Sequence, residues 1–213
     1  VRNGNWFKLN NNETDHLYLS DSIRKKIIGF VGWGNIAHHI ARFLSGFDLD
    51  YLACRKKNVA IKKYEKNYPK IKLTDFKTVL TKSDIIFITA SLTEKTRNMI
   101  SDDEFNIMKN TAYLINISRG PIINEKSLYE ALFMKKISGA AIDVWYGKEY
   151  QKGNKKYPSI EFPFHKLDNI LLSPYRAGYI KGSSPHLIGA VENLIHYAKT
   201  KELKNIVDIN AGY

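Results

Sequence analysis

Cysteine is nearly absent from this chain. Cys54 is the single one among 213 residues, which excludes an internal disulfide and a cysteine-rich metal site, and no metal centre is expected. Long apolar runs are lacking too: none approaches the roughly 20 residues that a membrane-spanning helix needs. The opening residues VRNGNWFKLN have no apolar stretch of the kind a signal peptide carries. Glycine (13) and proline (6) are too sparse for a fibrous or low-complexity chain. These absences point to a soluble protein of the cytosol, with no membrane partner. Acid is also scarce, with 21 Asp and Glu against 33 Lys and Arg, a net charge of +12. A basic surface attracts nucleic acid. Here, however, the lysines are scattered in pairs such as Lys62-Lys63, Lys135-Lys136 and Lys155-Lys156. No aromatic-interleaved basic stripe accompanies them. The charge is read as a solvated surface with a weak pull on anions, and no nucleic-acid partner is expected.

What the chain has is 44% hydrophobic residues, enough for one good core with an arm or a small lobe. Short apolar runs recur at Ile27–Val31, Tyr51–Cys54, Asp84–Thr89, Ala112–Ile117, Gly139–Val144 and Ile170–Ser173. Their length and their Ile, Val and aromatic content suit strands buried on both faces. Amphipathic stretches alternate with them. Ile36, Ile40 and Leu44 recur at one-turn spacing. Ser101 with Glu104 spells a capping box before Phe105 and Met108. Asn124 can cap Glu125–Lys135. A last helix is expected from about Ser184 to Lys199, with Leu187, Val191, Leu194 and Ile195 facing inward. The alternation predicts an α/β fold: a Rossmann-like, doubly wound parallel sheet in three layers. Residues 1–22 read as a polar arm or linker, 23–183 as the sheet domain, and 184–213 as a C-terminal helix and tail. The polar stretch Tyr146–Lys166 reads as a long loop, functional or a surface excursion.

Directly after the first strand comes Gly32-Trp33-Gly34-Asn35-Ile36-Ala37, the pattern G-x-G-x-x-A opening a helix. In that setting the first glycine permits a tight turn and the second admits a pyrophosphate to the backbone. The alanine keeps helix and strand close. The helix start then presents free N–H groups and a positive dipole end to the phosphates. A tight turn without ligand is the plainer alternative. After the second strand, where an NAD enzyme usually has an acid for the ribose, this chain has Cys54-Arg55-Lys56-Lys57. Arg55 could pair with a 2′-phosphate, so the cofactor is read as NAD(P), with NADP favoured. A solvated basic turn would look the same.

Through LINISRG (114–120), PIINEKSLYEAL, ISGAAIDVW (137–145) and LDNILLSPYRAGY, the chain resembles the D-isomer-specific 2-hydroxyacid dehydrogenase family over nearly its whole length. The resemblance implies hydride transfer between nicotinamide and C2 of a small 2-hydroxy or 2-oxo acid. It assigns Arg119 to the substrate carboxylate and to the charge that develops on the ketone oxygen. It also carries cofactor contacts to Asn35 and Ile36 in the phosphate turn, to Ala90, Ser91 and Ile117, to Asp143 for the nicotinamide amide, and to Ala177 and Gly178. It implies a homodimer made through the cofactor domain.

Two positions depart from the family pattern. The family's Glu position is Lys148 here, with Glu149 one step on, and the family's acid His, after Ser/Thr-Pro, is Tyr175. Both belong to one unit, because the Glu orients and charges the His. A phenol keeps its proton at neutral pH, so Tyr175 as acid and Tyr175 as filler over the nicotinamide stay open, with Lys148 or Lys181 as a possible partner. The family also implies a substrate domain of about a hundred residues before this region, to which residues 184–213 would return. The chain is therefore expected to be a fragment or a truncated product, in which case activity on its own is doubtful. The rival expectation is a catalytically degraded module that senses NAD(P) or mediates association.

Overall fold

The computed structural model describes residues 22–55, 71–147, 150–152, 155–178, 185–204 and 206. Lys148, Glu149, Lys181 and the arm before Ser22 lie outside them. Nine strands are described: β1 (Ile27–Val31), β2 (Asp50–Cys54), β3 (Ile71–Leu73), β4 (Ile85–Ile88), β5 (Tyr113–Asn116), β6 (Gly139–Ile142), β7 (Tyr150–Lys152), β8 (Lys155–Tyr157) and β9 (Ile170–Leu172). Seven form one sheet in the order β3-β2-β1-β4-β5-β6-β9, and every pair in it is parallel. The order reverses beside β1, which lies between β2 and β4. The six runs read from the sequence are all strands, each within two residues of its expected ends.

Five helices are described: α1 (Asn35–Phe43), α2 (Phe76–Lys82), α3 (Asp102–Ile107), α4 (Glu125–Phe133) and α5 (Pro185–Thr200). A parallel sheet must be covered on both faces, and the core divides accordingly. On one face α1 lays Ala37 and Ala41 against Ile28, Phe30, Tyr51 and Ala53. On the other, α2, α3 and α4 bring Val79, Leu80, Phe105, Leu128 and Leu132 onto Ile86, Ile88, Leu114 and Ile142. Helix starts follow the expected chemistry. Glu104 accepts hydrogen bonds from the Ser101 N–H and hydroxyl, at 3.0 and 2.8 Å. Asn124 Oδ1 accepts from the Ser127 N–H at 3.0 Å.

Two expectations need correction. The stretch Tyr146–Lys166 is not a plain surface excursion: it contains the β7–β8 hairpin and a short 3₁₀ turn, Phe164–Lys166. Phe164 is fully buried against Trp145 and Tyr129. The α5 stripe was expected to face inward, yet Leu187, Val191, Leu194 and Ile195 are all exposed. Periodicity shows that a helix has an apolar side, not what the side meets. On the α1 face of β5, β6 and β9, the row Ile115–Ala141–Leu171 ends at Leu171, 68% exposed at the sheet edge.

Candidate functional site

The register aligns the carboxyl ends of the central strands. Val31 pairs with Cys54 and Ile88, Ile88 with Asn116, Asn116 with Ile142, and Ile142 with Leu172. The turns that follow these residues therefore emerge along one edge. They carry Gly32–Asn35, Arg55, Ala90 and Ser91, Ile117 and Arg119, Asp143, and Tyr175–Gly178. In an open parallel sheet this edge, at the reversal of strand order, is where ligands bind.

The glycine turn is built for close approach. Gly32 has φ +97, and a Cβ there would lie 2.5 Å from the Ala90 nitrogen, so no other residue fits without a shift. Its N–H donates to the Cys54 carbonyl at 3.0 Å, which brings Arg55, partly buried, beside the turn. Gly34 differs. Its backbone is extended (φ −129), and a Cβ would meet nothing within 4 Å. The bare α-carbon thus faces open space, not protein. Gly34 is also the N-cap of α1, which has neither a side-chain cap nor an acid in its first turn. The positive dipole end of such a helix start suits a bound pyrophosphate. Ile36, in that first turn, is exposed.

Beyond β5 the chain turns sharply around Asn116, which is almost completely buried. Its side-chain oxygen accepts from the Ser118 N–H at 3.0 Å, and its amide donates to the Arg119 carbonyl at 3.1 Å. The Ser118 hydroxyl donates to the Ala90 carbonyl, tying this turn to the one after β4. Arg119 is thereby presented at the surface. Its guanidinium gives one bond, Nη1 to the Ser118 carbonyl at 2.7 Å, out of five possible donors. Gly120 is required next to it, because a Cβ there would lie 2.4 Å from the Trp145 carbonyl oxygen.

Asp143 follows β6 and is buried. Its N–H donates to the Asn116 carbonyl at 3.0 Å. Its Oδ1 accepts from the Arg176 N–H at 2.7 Å and from the Ser173 hydroxyl, and its Oδ2 accepts from the Ala177 N–H at 3.0 Å. A carboxylate has about four acceptor positions, so one on Oδ2 is left for a ligand amide. Tyr175 lies within the loop this carboxylate holds, with φ +56 and 39% exposure. Its N–H donates to the Asp143 carbonyl at 2.9 Å. Its phenol oxygen accepts from the Trp145 N–H at 3.2 Å, which leaves the phenol's own proton free to donate. Ala177 and Gly178 are exposed just beyond.

On the segment after β6, Tyr146 is a half-buried residue. Burial first, and then the nearby Glu125 carboxylate, push its pKa far up, so it stays protonated. The sequence reading missed Asn116. Its signal was present as Asn two residues before Ser118, the spacing at which an Asn side chain caps its own turn. Among the described residues no group of three metal-ligating side chains occurs, and no helix is long and apolar enough to cross a membrane.

The family model for the D-isomer specific 2-hydroxyacid dehydrogenase NAD binding domain matches residues 1–177. A glyoxylate reductase of Thermofilum pendens is 34% identical over 180 residues, which are 83% of this chain and 48% of that one. The chain thus spans about half the length of that relative. Among solved structures, a D-isomer specific 2-hydroxyacid dehydrogenase of Lactobacillus delbrueckii ssp. bulgaricus in NAD-complexed form superposes with a TM-score of 0.74 at 25% identity. That match covers 92% of this chain and 62% of the other. An acyclic imino acid reductase in complex with NADPH and D-Arg gives 0.71 at 26% identity, over 92% and 61%. With a left-handed glycine turn at the reversal of strand order and these matches along its length, the chain belongs to the D-isomer specific 2-hydroxyacid dehydrogenase family, of which it carries the NAD binding domain.

Proposed function

We propose that this domain binds NADP(H) in preference to NAD(H) and serves reduction of a small 2-oxo acid, or oxidation of the 2-hydroxy acid, within a longer protein. The observation that carries the reading is the convergence of the glycine turn, Arg119, Asp143 and Tyr175 on one sheet edge. When bound, the cofactor supplies or accepts the hydride. The N–H groups of Asn35 and Ile36 and the open space at Gly34 receive the pyrophosphate. Arg55 pairs with the 2′-phosphate, and the acceptor position left on Asp143 takes the nicotinamide amide. Ala90, Ser91, Ile117, Ala177 and Gly178 line the same edge. Arg119 binds the substrate carboxylate and polarises the ketone. Tyr175 holds the proton for the alkoxide oxygen in place of the family's His. The preference for NADP(H) rests on a guanidinium where an acid would repel the extra phosphate.

Residues 23–183 form the cofactor domain in this reading, 1–22 an arm, and 184–213 a return toward a substrate-binding domain of the longer protein. The exposed apolar stripe of α5 supports that return. Assembly is expected to be a homodimer through the cofactor domain.

Fluorescence titration with NADPH and NADH tests the cofactor assignment. NADPH should bind more tightly, and Arg55→Asp should remove or reverse the difference. Equal affinities in the parent chain, or an unchanged preference in the variant, reject Arg55.

A further inference from the structure

Arg119 and Tyr175 follow different strands, β5 and β9, yet one continuous set of hydrogen bonds joins them. Asn116 shapes the turn that presents Arg119, through Ser118 N–H to Oδ1 and Nδ2 to the Arg119 carbonyl. The Asn116 carbonyl accepts the Asp143 N–H. The Asp143 carboxylate then accepts from Ser173, Arg176 and Ala177 on both sides of Tyr175, and its carbonyl takes the Tyr175 N–H. Both residues are buried, so these bonds are shielded from water and strengthened.

We infer that Asn116 and Asp143 are positioning residues that together fix the guanidinium of Arg119 and the phenol of Tyr175 relative to each other. This rests on the reading above that those two side chains face the substrate. Tyr175 needs such a frame. Its φ of +56 is a region that bulky side chains seldom adopt, so local preference does not hold it there. In the family pattern the acid's orientation comes from a Glu, and Lys148 now stands at that position. The frame supplies orientation from beneath, through backbone N–H groups and not through a second side chain. Among the described residues it leaves the phenol proton and four guanidinium donors without a partner.

The test uses the chain without cofactor, so that a failure of cofactor binding cannot be mistaken for a failure of the frame. Amide exchange is followed at Ser118, Arg176 and Ala177, and the chain is labelled with 3-fluorotyrosine, its Tyr175 resonance being identified by Tyr175→Phe. Asp143→Asn should speed exchange at Arg176 and Ala177 by roughly tenfold or more, the worth of bonds to a charged acceptor. It should also split or broaden the Tyr175 fluorine resonance. Ser173→Ala, which removes one bond and keeps the carboxylate, should give a smaller effect of the same kind. Asn116→Ala should speed exchange at Ser118. Asp84→Asn, which breaks a bond at the far end of the sheet, should leave the Tyr175 resonance unchanged. An unmoved Tyr175 resonance with unchanged exchange in folded Asp143→Asn would overturn the inference, whether or not the same variant binds NAD(P)H. A Tyr175 resonance equally disturbed by Asp84→Asn would overturn it too, since the effect would then be general loosening.

Discussion

At the scale of single residues, the two glycines of the phosphate turn make opposite demands. Gly32 is needed by the fold: positive φ and the Ala90 backbone both exclude a side chain. Gly34 is not needed by the fold, since its backbone is extended and its Cβ position is empty. Gly32→Ala should therefore cost about 2 kcal/mol or more, from strain and collision together. Gly34→Ala should change stability by less than about 1 kcal/mol, as expected at an N-cap, while weakening dinucleotide binding at least about tenfold. Urea unfolding and cofactor titration on both variants check this. A Gly34→Ala protein that binds normally would show that the open space at that α-carbon is not the phosphate seat. The sequence identified both glycines by spacing alone. It assigned them the tight turn and the phosphate approach respectively, and the structure adds what each would collide with.

The elements show where sequence reading is strong and where it stops. Strands buried on both faces announce themselves as unbroken apolar runs, and caps such as Ser101 and Asn124 announce helix starts. The strand β3 is only Ile-Lys-Leu, too short to stand out. The helix α2, capped by Asp75, which accepts the Thr78 N–H at 2.8 Å, is only two turns long, too short for a periodic stripe to stand out. The β7–β8 hairpin is built from Tyr-Gln-Lys and Lys-Lys-Tyr, without the alternation that marks a strand. In the same stretch Phe164 acts as a core residue, so Phe164→Ala should cost about 3–5 kcal/mol. A cost below about 1 kcal/mol would mean that the 146–166 segment is a dispensable surface excursion after all. At the other end of the sheet, Asp84 pins β1 to the start of β4. Its oxygens accept from the Ile27 N–H and from Lys109, each at 2.8 Å. Burial pushes the Asp84 pKa up, but the Ile27 N–H and Lys109 outweigh it and hold the carboxyl below its usual range. A depressed folded-state pKa stabilises above the unfolded value of about 3.9 and is lost as pH falls through the lower, folded one. Asp84→Asn should thus cost about 1 kcal/mol at pH 7, allowing for solvent screening. In unfolding curves taken at successive pH values, that difference should shrink below about pH 4. A gap that stays constant down to pH 2 would assign the effect to shape instead of charge.

At the scale of the whole molecule, exposed apolar groups such as Phe43 and Phe133 are scattered over the surface, but α5 carries a whole stripe of them, Leu187, Ile188, Val191, Leu194 and Ile195. The exposure of that stripe is not legible in its period, since burial depends on what packs against it. If the proposed homodimer forms through the cofactor domain, light scattering at micromolar concentration should give twice the chain mass. A monomer under those conditions would remove the assembly from the proposal. The site was legible to the extent that it rests on backbone turns with fixed spacing. Asn116 was legible only as a local turn signal ahead of Ser118; its link to Asp143 runs through main-chain groups that no side-chain pattern records.

The central place of β1 bears on how the chain is made. Ile28 pairs with Tyr51 on one side and with Ile85 on the other. As the chain leaves a ribosome, β1 is the first of the described strands to emerge, and its β2 neighbour follows soon after. Its β4 neighbour is still unsynthesised when β2 is complete. Parallel pairing admits no hairpin shortcut, so one edge of this interior strand stays open until roughly a further thirty residues have appeared, a wait of a few seconds at ordinary translation rates. During that interval the Gly-Phe-Val end of β1 is the segment a chaperone would find first. The strand that anchors the cofactor turn is then also the one with the longest exposure before it is safe.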